Sequence, residues 1–185
     1  LIEDSTVTFT NATEKVNLTG HGFLDGDRVI FNTTGTLPAE LAVDTVYYVI
    51  AKATNDFQLT LTPICTATAV TFDTTDDEVD LTAHGLSVGM KVKFATTGTL
   101  PTGITAGTTY YVKTVVNANS FTISATAGGA KIDLSGSPAG THTVIGVVEG
   151  FTDDGTGIHT VLGNESSAFT PQLKTQIGVA IDIAT

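Results

Sequence analysis

Apolar residues recur along this chain in pairs two positions apart, which is the pattern of short strands with one buried face. In the first third of the chain the pairs are Val7/Phe9, Val16/Leu18, Val29/Phe31, Tyr47/Val49 and Phe57/Leu59. Turn-forming residues separate them, as in Gly20-His21-Gly22, Asp25-Gly26-Asp27 and Thr54-Asn55-Asp56. Five or six short strands at this spacing predict a small all-β barrel or sandwich.

The whole pattern then returns. Val7-Thr8-Phe9 reappears 63 positions later as Val70-Thr71-Phe72, and the hexapeptide at 33–38 recurs unchanged at 96–101. Tyr47-Tyr48-Val49 likewise becomes Tyr110-Tyr111-Val112, and His21-Gly22 becomes His84-Gly85. A repeat of this length indicates two copies of one small domain rather than a solenoid unit. We therefore predict two tandem small β-barrel or sandwich repeats, at residues 1–65 and 66–144.

Residues 145–185 show no third copy and are predicted to form a C-terminal hairpin and strand extension. The stretch Asp153-Asp154-Gly155-Thr156-Gly157 predicts the hairpin turn. The last segment alternates Ile177, Val179, Ile181 and Ile183 with smaller residues, which is a strand pattern. Such a strand adds to a sheet edge of its own domain or of a neighbouring copy, and both possibilities stay open. These four residues are the candidate subunit interface.

Composition and charge narrow the function classes. The formal net charge is −11 with only 8 Lys plus Arg, which argues against a nucleic-acid partner and suits a soluble acidic surface. No apolar run approaches a membrane span, so no membrane partner is expected. Cys65 is the single cysteine, so no intrachain disulfide forms, and a buried inert thiol is the favoured interpretation. Two such small domains are expected to gain stability from oligomerisation.

The repeated histidines His21 and His84 are the most tempting catalytic candidates. A catalytic histidine needs a positioned partner, yet the neighbouring Asp27 is replaced by Met90 in the second copy. We therefore interpret both as structural turn residues that bond the backbone. No catalytic, cofactor or metal site is predicted, and we expect no enzyme activity.

Other candidates carry a functional and a structural interpretation each. Tyr48 and Tyr111 could stack sugars, but a rim ring beside a core ring is favoured. In the repeated loops, Leu37, Pro38, Leu100 and Pro101 are weaker candidates for contacts with the capsid or another partner. The favoured interpretation is that these four residues simply form turns. The acidic residues at 73–80 lack the spacing of a calcium loop and are interpreted as solvated turns.

The repeated string resembles a β-domain common in tailed-phage virion proteins. Its elements here are His84-Gly85, Gly89, Val92-Lys93-Phe94, the hexapeptide at 96–101 and Tyr110-Tyr111-Val112, with their first-copy equivalents. The resemblance covers about residues 4–144, and the family motif carries no catalytic residues.

From this resemblance we expect a capsid decoration (cement) protein on the outer surface of the capsid. It would bind the major capsid protein and form a homotrimer. The alternatives are a tail, baseplate or fibre component, or a glycan-binding adhesin module.

Overall fold

The computed structural model describes residues 2–164, which form two closed six-stranded antiparallel barrels and contain no α-helix. The predicted all-β fold is thus confirmed. The strands are β1 (Ile2–Thr10), β2 (Lys15–Asn17), β3 (Arg28–Thr33), β4 (Tyr47–Ile50), β5 (Asp56–Thr60), β6 (Thr68–Asp73), β7 (Glu78–Asp80), β8 (Lys91–Thr96), β9 (Thr109–Asn117), β10 (Ser120–Ser124), β11 (His142–Gly146) and β12 (His159–Asn164).

Alternation along the strands determines which face is buried. In β8, Val92 and Phe94 point into the core, whereas Lys91 and Lys93 are half-buried on the outside. The order of neighbouring strands around the first barrel is β1-β12-β3-β4-β5-β2, and around the second barrel it is β6-β11-β8-β9-β10-β7. The two barrels therefore share one topology, as their sequence repeat requires.

The sixth strand of the first barrel comes from beyond the second barrel. In β12, Val161 lies opposite Ser5 of β1 on one side and Phe31 of β3 on the other. The second barrel is thus inserted into the first, between β5 and β12. Five strands leave β1 and β3 with unpaired edges, and only β12 supplies the backbone groups that close them.

This arrangement corrects the prediction for residues 145–185, because residues 159–164 belong to the first barrel rather than to an extension. The predicted hairpin is also wrong. Residues 147–150 form no strand, and Thr156 instead pairs with Thr36 in an isolated bridge. The four candidate interface residues from Ile177 to Ile183 lie outside the described residues.

Each barrel has its own apolar core. The first contains Val7, Phe9, Val16, Phe23, Val29, Phe31, Leu41, Tyr47, Val49, Phe57, Leu59, Phe151 and Val161. The second contains Ile64, Val70, Val79, Leu81, Leu86, Val92, Phe94, Ile104, Tyr110, Val112, Phe121, Ile123, Leu134 and Val144. Phe151 and Val161 pack in the first core although they follow the second barrel in the chain. The first core therefore includes residues from both sides of the inserted barrel.

Hydrogen bonds join the barrels where the chain crosses between them. The carbonyl oxygen of Lys91 accepts from the Thr62 hydroxyl at 2.9 Å and from the Val147 amide at 3.2 Å. The Lys91 ammonium contacts the Glu149 carboxylate at 2.7 Å, and the Glu149 amide donates to the carbonyl of Leu59 at 2.7 Å. Lys91 of the second barrel is therefore bound by both crossing segments. We call these two segments, residues 59–66 and 146–149, the junction.

Candidate functional site

The two turn histidines are buried and bonded to the backbone. In the first barrel the Phe23 amide donates to Nδ1 of His21 at 2.9 Å, and Nε2 bonds the Asp56 carbonyl at 3.3 Å. In the second barrel His84 accepts from the Leu86 amide at 2.9 Å and bonds the Asn117 carbonyl at 3.0 Å. Both nitrogens of each ring are engaged, which confirms the structural interpretation of these histidines.

The buried tyrosines hold the loops that carry the repeated hexapeptide. The hydroxyl of Tyr47 accepts the amide of Ala42 at 2.9 Å, and that of Tyr110 accepts the amide of Thr105 at 2.7 Å. Burial of the ring raises the pKa of Tyr47. Each core tyrosine therefore fixes the loop that leads into its own strand.

The neighbouring tyrosines lie on the rim, as the alternation predicts. Tyr48 and Tyr111 are both half-buried. The Arg28 guanidinium stands over the Tyr48 ring, 5.9 Å from its centroid, so one face of that ring is covered by the protein's own cation.

The hexapeptide loops pack on their own barrels. Pro38 and Pro101 are buried, and Leu37 and Leu100 contact the core of the barrel to which each belongs. The backbone of Gly35 lies so close to Thr156 that a side chain has no room. These contacts favour turn chemistry over partner contact for the four loop residues.

Acidic residues at 73–80 bond the local backbone. Oδ1 of Asp73 accepts the amide of Thr75 at 2.8 Å, which lowers the pKa of that carboxyl. Lys131 contacts Asp77 at 2.7 Å, and with the Leu134 amide it lowers the Asp77 pKa. Within residues 2–164, no group of three or more His, Cys, Asp or Glu side chains is arranged to hold a metal ion.

Cys65 is a buried thiol in the junction. Its Sγ donates to the Thr62 carbonyl at 3.6 Å, and burial, with a smaller effect from Asp25, raises the pKa of Cys65 to about 12. The thiol is therefore protonated and shielded at neutral pH.

We expect Cys65 to resist Ellman's reagent at pH 8 in the native protein and to react within seconds in guanidinium chloride. The same assay on Leu24→Cys, a position 55% exposed, provides the fast reference rate. Native modification of Cys65 at that reference rate would show that the junction opens freely.

Equivalent histidines on the two closing strands have different partners. His142 of β11 lies opposite Thr96, and the Thr96 hydroxyl bonds Nδ1 at 2.9 Å. His159 of β12 lies opposite Thr33, whose hydroxyl instead donates to the Thr156 carbonyl at 3.5 Å. Nδ1 of His159 is buried without a hydrogen-bond partner, and desolvation lowers the pKa of His159.

Acidification is therefore expected to weaken the first barrel through His159. The unfolded chain takes up a proton as the pH falls below the ordinary histidine value of 6.5, whereas the folded state resists protonation until its lower pKa is reached. The contribution of His159 to the free energy of unfolding is therefore complete above pH 6.5, and it is lost as the pH falls from 6.5 toward the lower pKa of the folded state. Denaturant titrations from pH 7.5 to 5.0 measure the loss, and His159→Gln should remove it. His142→Gln is the matched control and should retain it, so equal pH dependence in the wild type and His159→Gln would contradict this assignment.

A groove runs between the barrels beside the junction. Its volume is about 460 Å³, and it is lined by Val46, Tyr48, Leu61, Ser87, Val88, Gly89, Met90, Lys91 and Glu149. Because Lys91 and Glu149 pair with each other, the remaining lining is mainly apolar. We call this cleft the inter-barrel groove.

In comparisons with known proteins, no family model, no curated protein and no solved structure matches this chain. Among residues 2–164, no helix has the length and apolar character needed to span a bilayer.

Sequence reasoning placed residues 158–162 in a C-terminal hairpin, so it missed their role as the strand that closes the first barrel, and it missed the junction. The signal for the strand is present, because Gly140-Thr141-His142-Thr143-Val144-Ile145-Gly146 returns as Gly157-Ile158-His159-Thr160-Val161-Leu162-Gly163. This second repeat has a spacing of 17 residues, so a comparison at the 63-residue shift passes over it. Nothing in the sequence pattern marks Lys91 and Glu149 as a pair.

Proposed function

We propose that this protein is a structural component of a phage virion, and specifically a capsid decoration protein on the outer surface of the head shell. Its partners would be the major capsid protein and further copies of itself as a homotrimer. The proposal begins from the resemblance of the repeated string to virion β-domains, together with an acidic chain of net charge −11.

The observation that carries the proposal is that the residues defining the repeat are committed to the fold. The turn histidines bond the backbone, the core tyrosines hold loops, and Gly35 and Gly98 admit close backbone neighbours. A motif that maintains a rigid scaffold suits a protein whose task is mechanical.

The mechanism would be stabilisation by binding to the assembled state. A ligand that binds only the assembled shell lowers the free energy of that shell relative to its free subunits, by an amount that grows with ligand concentration over Kd. The acidic surface would favour a basic face on the capsid, so association should slow as the salt concentration rises.

Co-sedimentation with empty head shells tests the proposal. We expect saturable binding to shells, little binding to unassembled capsid protein, and a higher disassembly temperature for decorated shells. Failure to bind shells would overturn it. Saturable glycan binding that is lost in Tyr111→Ala would favour the adhesin alternative instead.

Light scattering tests the proposed homotrimer. The full chain should have the mass of a trimer, and a chain ending at Asn164 should be a monomer, because it lacks the segment containing Ile177, Val179, Ile181 and Ile183. A full chain that is already monomeric would contradict assembly through that segment.

A further inference from the structure

The two barrels leave no sheet edge for an added strand. Each of the twelve strands within residues 2–164 has a hydrogen-bonded neighbour on both sides. Strand addition needs free backbone groups at an edge, so a segment that joins these barrels has to be held through its side chains. This changes how Ile177–Ile183 could bind, because the sequence pattern alone suggested addition to an edge.

The inter-barrel groove offers a surface for such side chains. Val46 and Leu61 line it from the first barrel, and Val88 and Met90 line it from the second. Its volume of about 460 Å³ lies in the range of protein clefts that bind ligands. Val88 is 66% exposed, so one of the aliphatic side chains that line the groove is open to water.

The described chain also ends beside this groove. Asn164, the last residue of β12, pairs with Arg28, and Arg28 pairs with Tyr48 of the groove. Neighbouring strands are about 4.8 Å apart, so the chain leaves the first barrel about 10 Å from Tyr48. Residues 165–176 can extend at most about 40 Å, which is enough to reach a second copy that meets the first at this face.

We propose that the inter-barrel groove of one copy binds the segment Ile177–Ile183 of a second copy. The alternating side chains of Ile177, Val179, Ile181 and Ile183 are the groups that enter it. This inference rests on the proposed function, because a decorating homotrimer requires self-association. Every copy carries one segment and one groove, so passing the segment from copy to copy around a ring fills every groove and leaves none open.

Disulfide trapping between two preparations of the full chain tests the proposal. Both carry Cys65→Ala; one also carries Val88→Cys, and the other carries Ile181→Cys and an isotope label. After mixing and mild oxidation, mass spectrometry identifies cross-links between the two preparations. We expect the mixed Val88–Ile181 product to exceed the like-with-like products by about tenfold or more, because a bound segment has a high effective concentration.

The matched control replaces Val88→Cys with Val116→Cys, which is 45% exposed on β9 and outside the groove. Equal cross-linking at Val116 and Val88 would overturn the proposal, as would the absence of a mixed product. A single chain carrying both Val88→Cys and Ile181→Cys is the remaining arm. An internal disulfide there, without any mixed product, would assign the segment to its own groove and overturn binding to a second copy.

The shell-binding assay separates this inference from the proposed function. Shell binding without the mixed cross-link would refute the groove and leave the decoration role in place. The mixed cross-link without shell binding would refute decoration and leave the groove as a self-association site.

Discussion

A chain ending at Gly150, which keeps the whole of β11, is expected to lose the first barrel while keeping the second. The truncation removes β12, so β1 and β3 each lose their neighbour, and it removes Phe151 and Val161 from the first core. Loss of a buried phenylalanine alone costs roughly 3–5 kcal/mol, and small domains have only about 5–15 kcal/mol of total stability. The remaining five strands should therefore unfold.

Hydrogen exchange with mass spectrometry measures the two barrels separately. In the chain ending at Gly150, peptides from residues 2–60 should exchange at the rate of unfolded chain, whereas peptides from residues 68–124 should stay protected. A chain ending at Asn164 is the matched control and should protect both regions. Undiminished protection of residues 2–60 after truncation at Gly150 would show that the first barrel does not need β12.

Gly35→Ala is expected to destabilise the first barrel by about 3 kcal/mol, an overpacking cost near the upper end of the usual range. A Cβ at Gly35 would lie 2.1 Å from the Thr156 carbonyl oxygen, which is backbone and cannot rotate away. Thr36 and Thr156 exchange backbone hydrogen bonds of 3.0 and 2.7 Å, so separating the two segments breaks the contact that leads into β12. Gly98→Ala should do the same in the second barrel, where the corresponding distance to the Ala139 oxygen is 2.2 Å.

Denaturant unfolding combined with hydrogen exchange checks both the size and the location of this effect. Gly20→Ala is the control, because Gly20 has a φ of +64° but no atom within 4 Å of a built Cβ. Its cost should be limited to about 1–2 kcal/mol of backbone strain. A Gly35→Ala protein no less stable than Gly20→Ala would contradict the steric role of Gly35.

Most of the local structure could be predicted from the sequence. Pairs such as Val29/Phe31 and Val92/Phe94 lie on strands with the expected buried face, because side-chain alternation is a local property of an extended backbone. The turn histidines were assigned correctly for a similar reason. The bonds from the amides of Phe23 and Leu86 span only two residues, so they depend on local chain geometry.

The candidate site could be predicted only in part. Tyr48 was recognised as a rim residue, but its neighbours in the inter-barrel groove come from segments far apart in the chain, such as Leu61 and Val88. A groove between two domains depends on how they pack, and periodicity within either domain carries no information about that packing.

Residue periodicity and turn chemistry are sufficient to establish the all-β class, the duplicated unit and the buried face of each strand. The insertion of the second barrel into the first, and the bonding of Lys91 to both crossing segments, become visible only in the three-dimensional fold. The physical reason is that barrel closure is a long-range condition. An open strand edge is satisfied by whichever distant segment can supply matching backbone groups, and here that segment is His159–Asn164.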